Sequence, residues 1–298
     1  MAIRIDQGER TYELVEGWGE LKPGWTWGLV GDVAVDSHDI VHVFTRSSNP
    51  PCRIYDLSGK LLRSWGYGIF EDAHGIFIDP DDNLYLTDRA PEVVLKFTND
   101  GRHLMTLGDR HKHSDTGWTE ESPTVKYPGG PFYFPTNVGI SANGDLYVSD
   151  GYRNCRIHRY TADGQLITSW GEPGSDDGQF NLVHHVIEHK GKVYVCDRAN
   201  NRIQVFTPKG EWLETRPGYE RPCKIHIDKD DVVYVAELGA RVTITDLAGN
   251  ILWRWGGEVS HDPGKFTAPH GIALDSQGGM YVGEVLQGAR LQKFQRVK

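Results

Sequence analysis

Six stretches of this chain are copies of one pattern, and that repeat constrains the fold more than any other feature. Each copy has an apolar strand, a polar turn with Asp or Gly, and a second strand of the type LYLTD. A third strand of the type VLKF follows, then a fourth that often ends in Trp-Gly. The leading strand pairs read VAVDSHDIVHVFTR from Val33, IFIDPDDNLYLTDR from Ile76, VGISANGDLYVSDG from Val138, VIEHKGKVYVCDR from Val186, IHIDKDDVVYVAEL from Ile225 and IALDSQGGMYVGEV from Ile272. Anchored on Gly31, His74, Thr136, His184, Cys223 and His270, the copies are spaced by 43, 62, 48, 39 and 47 residues. A period in the forties with four short strands per unit predicts the blades of a propeller rather than a sandwich. The strands alternate with the two-residue period of half-buried sheet, and no segment carries a sustained helical stripe.

The expected architecture is therefore an all-β, six-bladed β-propeller forming a single domain over residues 1–298. The sixth copy stops after its third strand, at Phe294, whereas the N-terminus supplies YELVEGWG near Tyr12, which looks like a fourth strand alone. Closure of the ring by this N-terminal strand would remove free sheet edges. The 62-residue spacing holds an insertion over residues 109–135, polar and ending in the aromatic run Phe132, Tyr133, Phe134. A loop of this length is expected to act as a lid over one mouth of the channel.

Composition narrows the partners. The chain has 298 residues and a net charge of −9, with no block of five or more like charges. That excludes nucleic acid or an anionic membrane as the main partner. No apolar run reaches membrane-spanning length and the first residues lack a secretory signal, so a cytoplasmic location is expected. The four cysteines are scattered without a C-x-x-C pair and read as buried thiols. Oligomeric state is not legible.

The first strand of a propeller blade lines the central channel, so the anchor residues form a ring at one mouth. Histidines occupy that ring in the second, fourth and sixth copies. Alternate blades would converge His74, His184 and His270 on one point. Three imidazoles with an open position are the donor set of a catalytic zinc site. Histidine-only ligation also suits iron, nickel or copper by ligand softness, and manganese is kept among the candidates. A second ring follows the second strands: Arg46, Arg89, Tyr152, Arg198, Leu238 and Val285. Its three arginines suit a carboxylate-bearing substrate, because guanidinium presents a fork of parallel donors. Tyr152 is the candidate proton-transfer group beside them. Tyr133, from the insertion, is a further candidate for substrate contact. Asp88, Asp150 and Asp197 read as turn-fixing residues of the repeat, and His103, His111 and His113 as exposed.

The units resemble NHL repeats, most clearly in SDGYRNCRIHRYTADGQLITSWG and CDRANNRIQVFTPKGEWLE. The segments HGIFIDPDDNLYLTD, FPTNVGISANGDLYVSDGY, GQFNLVHHVIEHKGKVYVCDRANNRIQVF and APHGIALD are similar to the peptidyl-α-hydroxyglycine α-amidating lyases. That resemblance implies a zinc on His74, His184 and His270, an active-site tyrosine at Tyr152, and substrate-binding arginines at Arg46 and Arg198. It also implies cleavage of an N-acyl-α-hydroxyglycine to an amide and glyoxylate. Three departures stand out. Gly271 replaces an aspartate that helps hold the family's structural calcium, so calcium is not expected. Arg153 and Val205 replace half-cystines, so the family's disulfides are not expected. Arg89 adds a charge that the family does not require.

The function expected is a metal-dependent lyase acting on a small anionic α-hydroxy acid by breaking a C–N or C–O bond. Arg46, Arg89 and Arg198 bind the carboxylate, and Tyr152 or a metal hydroxide is the base. Two alternatives stay open. One is a metal-dependent hydrolase or hydratase of a lactone, amide or enol ether. The other is a non-enzymatic NHL interaction platform.

Overall fold

A computed structural model describes residues 3–7, 10–47 and 49–297. Among these the chain is all-β apart from a single 3₁₀ turn at Arg198–Asn200. No helix in them is long and apolar enough to cross a membrane. The strands form six antiparallel sheets, five built from one sequence copy each and the sixth from the last copy together with N-terminal strands. Five sheets have four strands. The sixth has five.

The chain divides into two compact units, residues 71–223 and residues 1–70 with 224–298. In the 71–223 unit, the first strands of three sheets are Ala73–Ile78, Pro135–Ile140 and Val183–His189. They pack side by side. Valine and isoleucine on their pleats bury against the second strands Leu84–Asp88, Leu146–Asp150 and Lys192–Asp197, whose residues are almost all buried. Tyr147, Phe180, Val186, Val195 and Phe206 form one core cluster of this unit.

In the other unit the corresponding first strands are Leu29–Val35, Pro269–Leu274 and Pro222–Ile227, the last of which begins at the unit boundary. The N-terminal strand Arg10–Val15 pairs with Leu291–Arg296, setting Tyr12 opposite Arg296 and Leu14 opposite Phe294. The N-terminus thus completes the sixth copy, as its truncated pattern predicts. One element was not anticipated. Arg4–Gln7 pairs outside Arg10–Val15 and makes that sheet five-stranded. Tyr12, Phe294, Trp255 and Phe266 meet in this unit's core, so the joining strand is anchored by apolar burial as well as by its ladder.

One device recurs in both units. The acidic residue ending a second strand accepts N–H groups from the loop before its own first strand. Asp88 takes Glu71 and Asp72, Asp150 takes Tyr133, Asp197 takes Asn181, and Glu284 takes Thr267 and Ala268. These buried carboxylates are the turn-fixing residues of the repeat. They satisfy loop donors that would otherwise be buried without partners.

Candidate active site

The ring residues sit at β-bulges. In the pairing of first with second strands, the register shifts at His74, Thr136, His184, His270 and Gly31. A bulge removes one residue from the ladder and re-aims its side chain. Each histidine side chain then meets the carbonyl of a ring residue on another first strand. His74 Nδ1 bonds the Thr136 carbonyl at 2.6 Å, and His184 Nδ1 bonds the Cys223 carbonyl at 2.7 Å. In the other unit, His270 Nδ1 bonds the Gly31 carbonyl at 2.6 Å. A carbonyl can only accept, so all three Nδ1 atoms carry the proton. In the neutral ring Nε2 then holds the lone pair. Metal-ligating histidines are commonly fixed in this way. Close approach of neighbouring strands is allowed by glycine next to two of the histidines. A Cβ at Gly75 would come 2.6 Å from the Thr136 carbonyl, and one at Gly271 would come 2.8 Å from Asp32.

Within the 71–223 unit, His74 and His184 lie side by side, with ring centroids 4.9 Å apart. The ligand nitrogens they offer are within 4.8 Å of each other. Tyr152 faces both. Its hydroxyl is 3.2 Å from His74 Nε2 and 3.4 Å from His184 Nε2, and it accepts from Arg198 at 3.1 Å. Arg198 is held in the 3₁₀ turn after Asp197, and only 8% of it is exposed. Burial alone would lower its pKa, but Tyr152 and Cys223 outweigh that and raise it, so it stays charged. Arg89 stacks over the Tyr152 ring at 4.5 Å, and Arg198 does so at 5.0 Å. Arg89 also bonds Asp72 through Nε at 2.7 Å, not the adjacent Asp88. One of its edges is therefore already committed.

The insertion is fastened next to Tyr152. The Arg153 guanidinium lies over Trp118 at 3.8 Å and Phe134 at 4.0 Å, while the Arg153 carbonyl accepts from Thr116. Tyr133 stacks on His113 at 4.4 Å and is itself buried, inside the insertion's aromatic cluster. His103, His111 and His113 are exposed, as expected. A cavity of about 650 Å³ opens beside Tyr152, with Trp118 and Val125 on the insertion side and Phe180 and Leu182 on the other. Sequence reading missed those four residues. Only the length of the insertion hinted at a wall there.

The other unit contributes His270, described above, and Arg46, which ends the strand Val41–Arg46 half-buried. Its second-ring residues Leu238 and Val285 are buried and apolar. Next to Gly31, Asp32 receives the Lys224 ammonium at 2.6 Å, and the same ammonium bonds the Val33 carbonyl at 3.0 Å. All four cysteines are buried thiols and no disulfide joins them.

Comparison with known proteins identifies the architecture. Peptidyl-α-hydroxyglycine α-amidating lyase 1 of Drosophila melanogaster is 33% identical over 162 residues, covering 50% of this chain. The NHL repeat-containing protein 3 of Homo sapiens is 31% identical over 215 residues, covering 68% of it. A streptogramin B lyase structure superposes with a TM-score of 0.67 over 98% of this chain and 100% of that one, at 14% identity. The chain is a six-bladed β-propeller of NHL repeats that resembles the α-amidating lyases. It spans 28% of the length of the fly lyase and 58% of the human NHL protein. No protein-family model matches it. The relatives of this propeller include enzymes, and the solved structure shares the fold alone.

Proposed function

We propose that the protein is a metal-dependent lyase that splits a small N-acyl-α-hydroxyglycine-like acid into an amide and an α-oxo acid. One observation carries this reading: the Tyr152 hydroxyl lies within 3.4 Å of His74, His184 and Arg198 together. A phenol so placed can exchange a proton with a bound hydroxyl while a buried guanidinium holds the neighbouring carboxylate.

In this reading His74, His184 and His270 hold one divalent ion. Their common bulge register and identical Nδ1-to-carbonyl bonds support a matched set of Nε2 donors. Three neutral imidazoles fit zinc well, with iron or manganese as alternatives. When bound, the ion supplies Lewis acidity toward substrate oxygen. Arg198 binds the carboxylate, assisted by Arg46. Arg89 and Arg198 stack on the ring of Tyr152 and hold it in place beside the histidines. The Tyr152 hydroxyl takes the α-hydroxyl proton as it passes its own proton to the departing amide nitrogen. The C=O bond forms as the C–N bond breaks, with the electron pair leaving on that nitrogen. One proton is received and one given, so atoms and charge balance and Tyr152 is regenerated.

The test is glyoxylate release from N-benzoyl-α-hydroxyglycine by purified protein, with metal analysis of the same sample. Stoichiometric metal and turnover, both lost in His184→Ala, are expected. Absence of both from wild-type protein would leave the non-enzymatic NHL platform as the better reading. Ring-opening of a lactone with water incorporation, without glyoxylate release, would favour the hydrolase.

A further inference from the structure

The lyase reading leaves one part of the substrate without a place. The arginines that could bind substrate serve the carboxylate end, but the bond to be broken joins that end to an acyl-amide portion. The cavity beside Tyr152 has the opposite chemistry. It measures about 650 Å³, and none of its described lining residues carries a charged side chain. Trp118, Val125 and Leu182 supply apolar surface with the buried Phe180 behind them, and Asn181 and Ser175 supply neutral polar groups. Cavities of this size and mixture accept small organic groups, with apolar walls for affinity and few polar atoms for orientation.

The wall on the insertion side is not a loose loop edge. Trp118 is pinned by the Arg153 guanidinium at 3.8 Å, and the Thr116 hydroxyl donates to the Arg153 carbonyl at 2.7 Å. Arg153 directly follows Tyr152 in the chain. The segment that walls the cavity is therefore fixed by the neighbour of the proposed proton-transfer residue. On the far side Phe180 is fully buried and its ring meets Phe206 at 5.5 Å, so that wall is part of the core. Both walls are set before any ligand arrives, which lowers the entropic cost of binding.

We infer that this cavity is the acyl-binding site, selecting a neutral acyl group of at least aromatic-ring size on the amide side of the scissile bond. The inference rests on the lyase reading for the identity of the group, but its chemistry is set by the lining alone. Charged acyl groups are excluded because an ion there would be desolvated without a partner. An apolar group the size of a ring should gain at least about tenfold over a methyl group, since one methylene in an apolar pocket is already worth that much.

The experiment measures binding by calorimetry with N-benzoylglycine, N-acetylglycine, N-succinylglycine and benzamide on intact protein. None has the α-hydroxyl, so binding is read without turnover. The expected result is N-benzoylglycine at least about tenfold tighter than the acetyl and succinyl compounds, with benzamide competing against it. Ser175→Trp, at the exposed rim, should reduce the benzoyl-over-acetyl preference to below about threefold, and Val125→Trp should do the same from the insertion side. Equal binding of benzoyl and acetyl compounds, or a preference untouched by either folded variant, would overturn the inference. The two readings fail separately. Benzamide binding that Ser175→Trp abolishes, without any glyoxylate release, sinks the lyase reading and keeps the cavity. Glyoxylate release without benzoyl preference does the reverse.

Discussion

The two compact units share a scaffold but differ in what they hang on it. In both, an acidic residue at the end of a second strand collects N–H donors from the loop before its own sheet. The position that follows is where they part. In residues 71–223 it is Arg89 after Asp88 and Arg198 after Asp197, with Tyr152 just past Asp150. In the other unit it is Leu238 after Glu237 and Val285 after Glu284, both buried, and Arg46, which follows Thr45 rather than an acid. The scaffold carboxylate fixes the loop whatever comes next, so the next residue is free to differ. One unit uses all three of its positions for cations and a phenol, whereas the other uses two for packing and one for Arg46. The insertion and the large cavity fall in the same unit as the cations.

This comparison can be broken most directly at Tyr152. If the 71–223 unit carries the chemistry, Tyr152→Phe should lower kcat by roughly 10²- to 10⁴-fold with little change in Tm, measured as glyoxylate release. Retention of full activity would remove the distinction between the units. A smaller effect, and an equal one, is expected from the shared scaffold. Asp197→Ala and Glu284→Ala should each destabilise the protein by about 3–5 kcal/mol in denaturant unfolding, because each leaves loop N–H groups without their acceptor and an arginine, Arg202 or Arg290, without its carboxylate. A loss confined to one of them would mean the device is not common to both units.

A pH effect separates the units further. Glu92, on the loop after Leu84–Asp88, is 3% exposed, and burial pushes its carboxyl up to about 7 against the pull of His111 and Arg153. A carboxyl whose folded pKa lies above its unfolded value stabilises the fold in its protonated form. That contribution is complete below about pH 4.5 and is lost as pH rises to about 7. Glu92→Gln should therefore unfold later than the wild type at pH 8, by about 1–3 kcal/mol, and match it near pH 4. A constant difference across that range would assign the effect to something other than ionisation. The smallest expected effect is at Arg153. Arg153→Ala should cost about 1–2 kcal/mol through its lost stacking on Trp118 and Phe134, and should raise KM more than it lowers kcat. A kcat loss as large as that of Tyr152→Phe would place Arg153 in the chemistry itself.

Much of this was readable without coordinates because repeats make positions comparable. The period in the forties set the number of sheets, and the missing fourth strand of the last copy announced that the N-terminus would fill it. The histidine register was visible for the same reason, since a residue type recurring at one repeat position is a stronger signal than an isolated residue. Arg198 and Tyr152 were legible as ring positions, and the structure places them in contact. Arg89 was legible as a position but not as a partner of Asp72, which lies before the first strand of its sheet. The outermost strand Arg4–Gln7 matched no copy and so gave no signal.

Composition and periodicity alone determined that this chain folds into antiparallel sheets of a propeller, with histidines recurring at the start of alternate first strands. Those properties are local and repeated, and hydrophobic alternation is enough to specify them. Tertiary structure alone decided what the histidines could do. Bulges turn His74, His184 and His270 out of the ladder, and the carbonyls that fix their Nδ1 protons come from Thr136, Cys223 and Gly31 on other first strands, so both features depend on how strands pair and pack rather than on any one strand's sequence. The cavity beside Tyr152 was decided the same way. Its walls come from segments about 60 residues apart, Trp118 and Phe180, which meet only because the chain closes sheet against sheet.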